Sequence, residues 1–341
     1  MYDLKVNILY KFKDLPYGGG NQFLKALKEE FINLEVYAEE IKDADIILFN
    51  SHHFLIDVLK LRMIYPRKIF VHRIDGPISL IRNDRKTDKI IFDINKLVAD
   101  GTVFQSYWSK KKNEDIGFKV KSPVEVMINA TNKDVFQTKK NKTLNKSNVK
   151  LIATSWSANW KKGFTYYKWL DDNLDLNKYH ITFVGNSPVT FKNIKHMKPV
   201  GSKVLAEILS ENDIFLSFSE SDPCSNSLIE ALQVGLPSIV LNDGGHPEIV
   251  KEGGIVIDKM EEIIPAIDDI CNNYEYYKQK IKIPDIETVA SKYCGFFKKI
   301  QKNNTGNFIK ILIYYIKLNL YEFYYCIRKR IGKLKRQFCS K

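Results

Sequence analysis

The sequence is poor in cysteine and has no long apolar run. Its 341 residues include 5 cysteines, an odd number without the spacing of a metal site or a disulfide framework. This excludes a disulfide-stabilised secreted fold, and we expect a reducing, cytoplasmic environment. The N-terminal residues follow a strand pattern and lack the basic segment, long apolar core and cleavage site of a secretion signal, so none is expected.

Acidic residues are outnumbered by basic ones. The chain has 53 lysines and arginines against 40 aspartates and glutamates, which gives a formal net charge of +13 at pH 7. A charge of this size favours an anionic partner, whether nucleic acid, an acidic membrane surface or a phosphorylated substrate. The hydrophobic fraction of 44% and the charged fraction of 27% are ordinary for a globular protein and exclude a wholly disordered chain.

Apolar runs of strand length alternate with helical patterns through most of the chain. The alternation indicates an α/β fold with parallel sheets, and a polar, basic stretch that is typical of a linker interrupts it. We therefore predict two doubly wound, Rossmann-like domains that face each other across a cleft. The expected division is a first domain at 1–130, a linker at 131–150, a second domain at 151–290, a closing helix at 291–302 and a tail at 303–341.

Two acidic residues flank a predicted helix start in the second domain. Ser225, Asn226 and Ser227 place free backbone N–H groups at the N-terminus of this helix, where the partial positive charge favours a phosphate or diphosphate. Asp222 precedes the helix and Glu230 lies in its first turns, so both carboxylates can reach hydroxyl groups at the mouth of the cleft. Taken singly, an acid at position 222 is more often a helix-capping residue and one at position 230 a solvated helix residue.

The surroundings of these acids resemble a known family. An acid, seven residues, the run Glu-Ala-Leu-Gln-Val-Gly-Leu-Pro from Glu230 and the later Gly-Gly-His-Pro-Glu from Gly244 are similar to the nucleotide-sugar region of the group 1, or family 4, retaining glycosyltransferases of GT-B type. The resemblance implies that Glu230 binds the donor ribose and that Asp222 contacts the transferred sugar as a catalytic residue. It also implies a nucleotide-diphosphate sugar as donor substrate, retention of configuration, and neither a metal nor a cofactor.

The same resemblance supplies a set of donor-binding positions and one departure. Trp156 stands where the family usually has an arginine, so Lys162 is the expected cation for the diphosphate, and Lys161 is a candidate replacement for the lost charge. The implied donor-binding residues are Gly18, Gly19, Lys162, Cys224, Ser225, Asn226, Ser227, Glu230, Gly245 and His246.

Titratable residues also follow strands of the first domain, which the resemblance identifies as the acceptor domain. Asp75 is the leading first-domain candidate for a catalytic role near the transferred sugar, with His72 and Arg73 as acceptor-side candidates. On local grounds alone, Asp75 is equally well explained as the cap of a turn before Gly-Pro. The adjacent His52 and His53 lack metal-ligand spacing, so no metal site is expected there.

The tail combines apolar and basic residues at helical spacing. Its apolar residues recur at steps of three and four on one predicted face, at Leu312, Ile313, Ile316, Leu320, Phe323, Ile327, Ile331, Leu334 and Phe338. Lys310, Lys317, Asn319 and Glu322 interrupt the apolar run and argue against a transmembrane span. The pattern predicts an amphipathic helix at 308–338 on an anionic membrane surface. The alternative is a helix packed on the protein with a solvated basic face.

Together these features predict a glycosyltransferase of surface polysaccharide, lipopolysaccharide or glycolipid synthesis, with a carbohydrate or lipid-linked acceptor, peripherally bound to the inner face of a membrane. Two other classes remain open. The tryptophan at 156 is compatible with a catalytically silent GT-B protein that binds a sugar nucleotide and assists a partner. A nucleic-acid-binding protein is disfavoured because the excess charge lies in the linker and tail and no nucleic-acid module is recognised.

Overall fold

The structure, a computed structural model, describes residues 4–13, 18–120, 123–138, 143–300, 307–320 and 323. Its first half forms a five-stranded parallel sheet in the strand order β1-β2-β3-β4-β5. The strands are β1 Val6–Leu9, β2 Ile46–Asn50, β3 Ile69–Ile74, β4 Gly101–Phe104 and β5 Val124–Val126. All residues of β2 and β4 and most of β1 and β3 are buried, as expected when helices cover both faces of a parallel sheet, whereas those of the edge strand β5 are partly exposed.

Five helices connect these strands: α1 Gly19–Asn33, α2 Leu55–Ile64, α3 Ile78–Arg82, α4 Arg85–Val98 and α5 Tyr107–Asp115. Helix α1 packs on one face of the sheet, and α2 and α4 pack on the other. The start of α4 is fixed by Asp84, whose carboxylate accepts a hydrogen bond from the Thr87 N–H at 3.0 Å. Ile91, Ile94 and Val98 then recur on one face of α4 and are buried against the sheet.

The second half forms a six-stranded parallel sheet in the order β11-β10-β9-β6-β7-β8. Its strands are β6 Val149–Ser155, β7 Tyr179–Gly185, β8 Lys195–Met197, β9 Ile214–Ser217, β10 Ser238–Leu241 and β11 Gly254–Ile257. Its helices are α6 Phe164–Asn173, α7 Ser202–Glu211, α8 Asn226–Gln233, α9 His246–Val250, α10 Ile263–Asn272 and α11 Tyr274–Lys280. Two separate apolar cores lie on its two faces. The prediction of two α/β domains is confirmed.

Two segments cross the expected domain limits. Phe136, in the expected linker, is 3% exposed and belongs to a core of the second domain, while residues 139–142 lie outside the described residues. Helix α12, Ile286–Lys299, begins before the expected closing helix and packs against α1 of the first domain. Residues 301–302 of that predicted helix are also outside the described residues. The chain therefore returns to the first domain near its end.

A helix at 308–320, named α13, lies against the first domain. Its Ile311 is 2% exposed and its Leu318 is 7% exposed, in the same core as α2 and α4. The Tyr314 hydroxyl donates to Asp93 of α4 at 2.8 Å. Within the described ranges, no helix has the length and apolar character needed to cross a bilayer. The predicted tail positions from Ile327 to Phe338 lie outside these ranges.

Candidate active site

A cavity of about 410 Å³ separates the two sheets. Loops at the carboxyl ends of strands from both domains line it, which is where open parallel α/β sheets bind ligands. From the first domain the loops after β1, β2, β3 and β4 contribute, and from the second domain the end of β7 and the loops after β6, β8 and β9. The cavity is therefore shared between the domains.

The N-terminus of α8 faces this cavity. The Ser225 hydroxyl accepts a hydrogen bond from the Leu228 N–H at 3.3 Å and caps the helix. Asn226 and Ser227 begin the helix, so their backbone N–H groups have no intrahelical partner, and both residues line the cavity. These amides and the helix dipole make the site suited to an anion such as a diphosphate.

Lys162 and Asp222 form an ion pair at the same end of the cavity. Lys162 Nζ lies 2.7 Å from Asp222 Oδ2, with side-chain exposures of 33% and 12%. Burial opposes ionisation of Asp222, but the Lys162 ammonium and His246 outweigh it and hold the pKa of Asp222 below its usual value. Lys162 precedes Gly163, whose φ of 89° and close approach to Phe218 both require glycine. The turn at Gly163 thus holds Lys162 in position for this ion pair.

Glu230 lies deeper in the cavity wall. The residue is 8% exposed, and burial raises the pKa of the Glu230 carboxyl group to about 8. The carboxyl group is therefore protonated at neutral pH when nothing is bound near it. A buried carboxyl that lines a cavity can exchange hydrogen bonds with a pair of neighbouring hydroxyls, such as those of a ribose.

On the opposite wall, Asp75 projects from the end of β3. Its side chain is 29% exposed, and Oδ1 accepts from Gln105 Nε2 and from Arg73 Nη1, the latter at 3.3 Å. Arg73 is only 1% exposed and donates to Asn50 Oδ1 at 2.5 Å and to Asn129 Oδ1 at 2.6 Å. The guanidinium therefore fixes several polar groups beneath the cavity and orients Asp75.

The two walls meet at several direct contacts. Asn129, which follows β5, donates through Nδ2 to Asn226 Oδ1 at 3.1 Å and so joins the end of the first domain to the start of α8. Glu248, on α9, accepts the N–H groups of Tyr107 and Trp108 at 2.8 and 2.6 Å. A second-domain carboxylate thereby caps the first turn of α5 in the first domain. These contacts hold the domains in a closed arrangement.

Comparison with known proteins identifies the second domain. Residues 135–283 match the model of the family described as glycosyl transferases group 1. We call this region the group 1 domain, after the family that its sequence matches. Spore coat protein SA of Bacillus subtilis (strain 168) is 33% identical over 119 residues, a match that takes in 32% of this chain and 30% of that relative.

Solved structures show that the group 1 domain belongs to a GT-B fold that extends over most of the chain. Sucrose-phosphate synthase from Thermosynechococcus elongatus superposes with a TM-score of 0.60 at 14% identity, over 83% of this chain and 80% of that one. Anabaena Alr3699/HepE, solved in complex with UDP-glucose, gives 0.62 at 11% identity, over 92% and 99%. Trehalose-6-phosphate synthase from E. coli gives 0.60 at 12% identity, over 87% and 92%.

The group 1 domain places most of its predicted donor-binding residues on the cavity wall. Cavity-lining positions are Gly18 and Gly19 of the first domain and Lys162, Cys224, Ser225, Asn226, Ser227 and Glu230 of the second, together with Asp222. The Cys224 thiol itself is buried and accepts the Asn129 N–H at 3.4 Å. Its contribution to the wall is therefore mainly backbone.

Gly245 and His246 lie behind the wall instead of on it. The Gly245 N–H donates to the Asp222 carbonyl at 2.8 Å, and His246 is fully buried with Nε2 3.3 Å from the Ser217 hydroxyl. Both residues support the loop that carries Asp222. Lys161 also differs from its expected role, because its ammonium donates to the Leu80 carbonyl of the first domain at 2.5 Å.

In the first domain of the GT-B fold, the acceptor-side candidates separate. Arg73 lines the floor of the cavity, whereas His72 is fully buried, stacks on Phe49 and bonds the Ser51 carbonyl at 2.9 Å. Burial lowers the pKa of His72 to about 3, so it stays neutral. Adjacent residues of a strand point to opposite faces of the sheet. The side chains of His72 and Arg73 therefore cannot both lie on the face of the sheet that α1 covers.

His52, Gln105 and Arg82 are among the cavity residues that were not predicted. Gln105 directly follows β4 and His52 is the second residue after β2, and this position at the carboxyl end of a parallel strand is the signal that identifies them. Arg82 ends the short helix α3, for which the sequence pattern gave no prediction. Trp156 lines the cavity as well, and its indole lies against Gly18.

Proposed function

We propose that this protein is a glycosyltransferase that moves a sugar from a nucleotide-diphosphate sugar to an acceptor. The observation that carries the proposal is the convergence of the α8 N-terminus, the Lys162–Asp222 pair and the buried Glu230 on one interdomain cavity. Together they offer an anion site beside a polar site for hydroxyl groups. The group 1 family match and the GT-B fold support the same reaction class.

We assign a part of the donor to each group. The α8 amides and Lys162 bind the diphosphate and stabilise the charge that develops on it as the glycosidic bond breaks. Glu230 binds the ribose, and Asp222 and Asp75 approach the transferred sugar from the two walls. Catalysis then consists mainly of positioning and electrostatic stabilisation, without a metal, and with the retention of configuration that the family resemblance implies.

Nucleotide binding tests this assignment first. A thermal-shift panel of UDP, GDP, ADP and their sugar conjugates should show one preferred nucleotide, because a ligand that binds only the folded state raises its stability. Glu230→Ala should abolish that shift. Glu211→Ala, at an exposed position of α7, is the matched control and should keep it. An unchanged shift in Glu230→Ala would place the donor elsewhere.

Donor hydrolysis separates an active enzyme from a silent binding protein. Trp156 in place of a cation favours the silent alternative, because Lys162 then remains the main side-chain charge for the leaving group. We expect slow release of sugar from the preferred donor, and we expect Asp222→Asn to reduce it by about two orders of magnitude. Binding without hydrolysis or transfer would support the silent alternative.

The acceptor side of the proposal includes a membrane. Helix α13 and the adjoining Phe323 expose an apolar stripe whose side chains are 37% to 67% accessible: Phe308, Ile309, Leu312, Ile313, Ile316, Leu320 and Phe323. At 100° per residue they share an arc of about 140°, while Ile311 and Leu318 on the opposite side pack on the first domain. Lys310 and Lys317 border the stripe.

This arrangement suits an anionic bilayer, with the apolar stripe among acyl chains and the lysines at the headgroups. We infer peripheral association through residues 308–338 with the inner, cytoplasmic face of a membrane. A membrane-bound enzyme is suited to a lipid-linked acceptor, as in surface-polysaccharide, lipopolysaccharide or glycolipid synthesis.

Point substitution is a better test of membrane binding than removal of the helix, because Ile311 and Leu318 belong to the first-domain core. Ile313→Glu, at a position 61% exposed, should reduce cosedimentation with phosphatidylglycerol vesicles about tenfold or more, since a charge then enters the interface. Val204→Glu, at a position 47% exposed on α7, is the control and should bind normally. Equal binding of both variants would exclude α13 as the contact.

A further inference from the structure

The first-domain wall of the cavity carries a cation without a counter-ion. Arg82 is exposed at the end of α3 and lines the cavity. In the described part of the chain its guanidinium forms neither an ion pair nor a hydrogen bond. Lys162, on the opposite wall, is paired with Asp222. The Lys162 charge on the second-domain wall is therefore neutralised by its ion pair, whereas the Arg82 charge on the first-domain wall is available to an anion.

His52 lies beside this arginine on the same wall. Its Nδ1 atom is buried and has no hydrogen-bond partner among the residues that the structure describes. Burial lowers the pKa of His52, and the Arg82 guanidinium adds to this effect, whereas Asp75 and Asp84 oppose it. His52 is thus neutral at pH 7 and offers a hydrogen bond without a second charge.

The nearby carboxylates are already engaged. Asp75 accepts from Gln105 and Arg73 through Oδ1. Asp84 accepts from the Thr87 N–H at 3.0 Å and from the Thr87 hydroxyl at 2.5 Å, one bond to each oxygen. An anion that enters beside Arg82 would leave these bonds intact.

The helix that presents Arg82 is fixed at two points. Asp88 of α4 accepts the N–H groups of Ile78 and Ser79 at 2.7 and 3.0 Å. From the second domain, Lys161 donates to the Leu80 carbonyl at 2.5 Å. Because α3 is held by α4 and by the other domain, Arg82 is attached to a rigid base, and little order has to be gained when a ligand binds.

We propose that Arg82 and His52 bind a phosphate ester carried by the acceptor substrate. A guanidinium presents planar, paired N–H donors that match two phosphate oxygens, and the imidazole of His52, which lines the same cavity, can add a hydrogen bond. Ile78 and Ile81 line the cavity next to this site and would contact an apolar portion of the acceptor. This inference rests on the proposed function, in which the nucleotide donor occupies the opposite wall.

A matched series of small probes tests the site. Glycerol, glycerate and glycerol 3-phosphate differ only in carrying no charge, a carboxylate or a phosphate, and each is titrated by NMR while the preferred nucleoside diphosphate saturates the donor wall. We expect glycerol 3-phosphate to bind at least tenfold more tightly than glycerol and measurably more tightly than glycerate. Arg82→Ala should weaken the phosphate probe about tenfold or more, and His52→Ala should weaken it by a smaller factor.

Controls separate this site from the donor site. Arg85→Ala removes another exposed arginine that does not line the cavity and should leave probe binding unchanged. Arg82→Ala should keep the affinity for the nucleoside diphosphate within twofold. The proposal would be overturned if glycerol 3-phosphate bound no more tightly than glycerol, or no more tightly than glycerate. It would also be overturned if Arg82→Ala bound glycerol 3-phosphate as tightly as the unmodified protein does. Absence of nucleotide binding in the unmodified protein would instead overturn the donor assignment.

Discussion

The two walls of the cavity are built in different ways. The second-domain wall takes Asp222, Asn226 and Glu230 from one loop and the helix that follows it. The first-domain wall collects His52, Asp75 and Gln105 from the ends of three different strands. A local motif can be read from residue spacing, whereas a wall assembled from several strands exists only after the sheet has formed. The arrangement of the first-domain wall therefore depends more than that of the second-domain wall on the buried polar contacts beneath it.

Arg73→Met should disturb the first wall most. It removes the donors to the buried Asn50 and Asn129 side chains and the Arg73 cation beside Asp75, whose carboxylate keeps only its bond from Gln105. We expect the free energy of unfolding to fall by about 5 kcal/mol, which urea denaturation measures. Arg67→Met, at an exposed arginine, is the control and should change it by less than about 0.5 kcal/mol. Similar losses in both variants would show that the Arg73 contacts carry no special weight.

Glu230→Gln should separate stability from binding on the second wall. The folded-state pKa of about 8 lies above the ordinary value of 4.5, so the unfolded chain ionises first and stability is lost as the pH rises from about 4.5 to 8. The neutral amide avoids this loss. The variant should be more stable than the original protein by roughly 4 kcal/mol at pH 8 and nearly equal at pH 4.5.

Thermal unfolding across this pH range in the absence of nucleotide measures the effect. A stability difference that is independent of pH would contradict the burial of an ionisable carboxyl. The same variant should bind the preferred nucleotide less tightly, because one of its hydrogen-bond acceptors is lost. One substitution would then raise the stability of the protein and lower its affinity for the nucleotide.

Two neighbouring glycines provide the smallest test of how closely the walls approach. A Cβ on Gly19 would lie 2.7 Å from the Cβ of Asn226 on the opposite wall, whereas a Cβ on Gly20 would meet nothing within 4 Å. Gly19→Ala should therefore push the α8 N-terminus away and weaken nucleotide binding about tenfold. Gly20→Ala should leave the affinity unchanged. Isothermal titration of both variants gives the comparison, and equal affinities would mean that the contact is not required.

The sequence predicted the part of the second-domain wall from Asp222 to Glu230 because these residues are contiguous, whereas Gly245 and His246 were predicted for the site and lie behind the wall. The βα rhythm located both domains, and the spacing from Asp222 to Glu230 located the helix start with its amides. The first wall was predicted only in part. Asp75 and Arg73 were found from their position after a strand, but His72 was assigned to the same side, although it faces the core with Phe49.

The tail shows the same limit. Helical periodicity predicted the face formed by Leu312, Ile313 and Ile316, and these side chains are exposed. Packing of the helix on the protein was left open as the alternative, but the first domain was not identified as its partner, because Asp93, which Tyr314 contacts, is far away in the sequence. Contacts between distant segments have no signal in local spacing. The role of the exposed stripe in membrane binding stays a prediction.

Helix α12 has a consequence for synthesis of the chain. Its Tyr293, Phe296 and Phe297 pack with Val6 and Phe31 and complete the core of the first domain. A ribosome makes that domain first but supplies these aromatic side chains only after the second domain. The group 1 domain is contiguous and can fold earlier, while the N-terminal sheet waits with the part of its α1 side that α12 covers still open and vulnerable to aggregation. A chain released before α12 would therefore carry a finished second half and an unfinished first half.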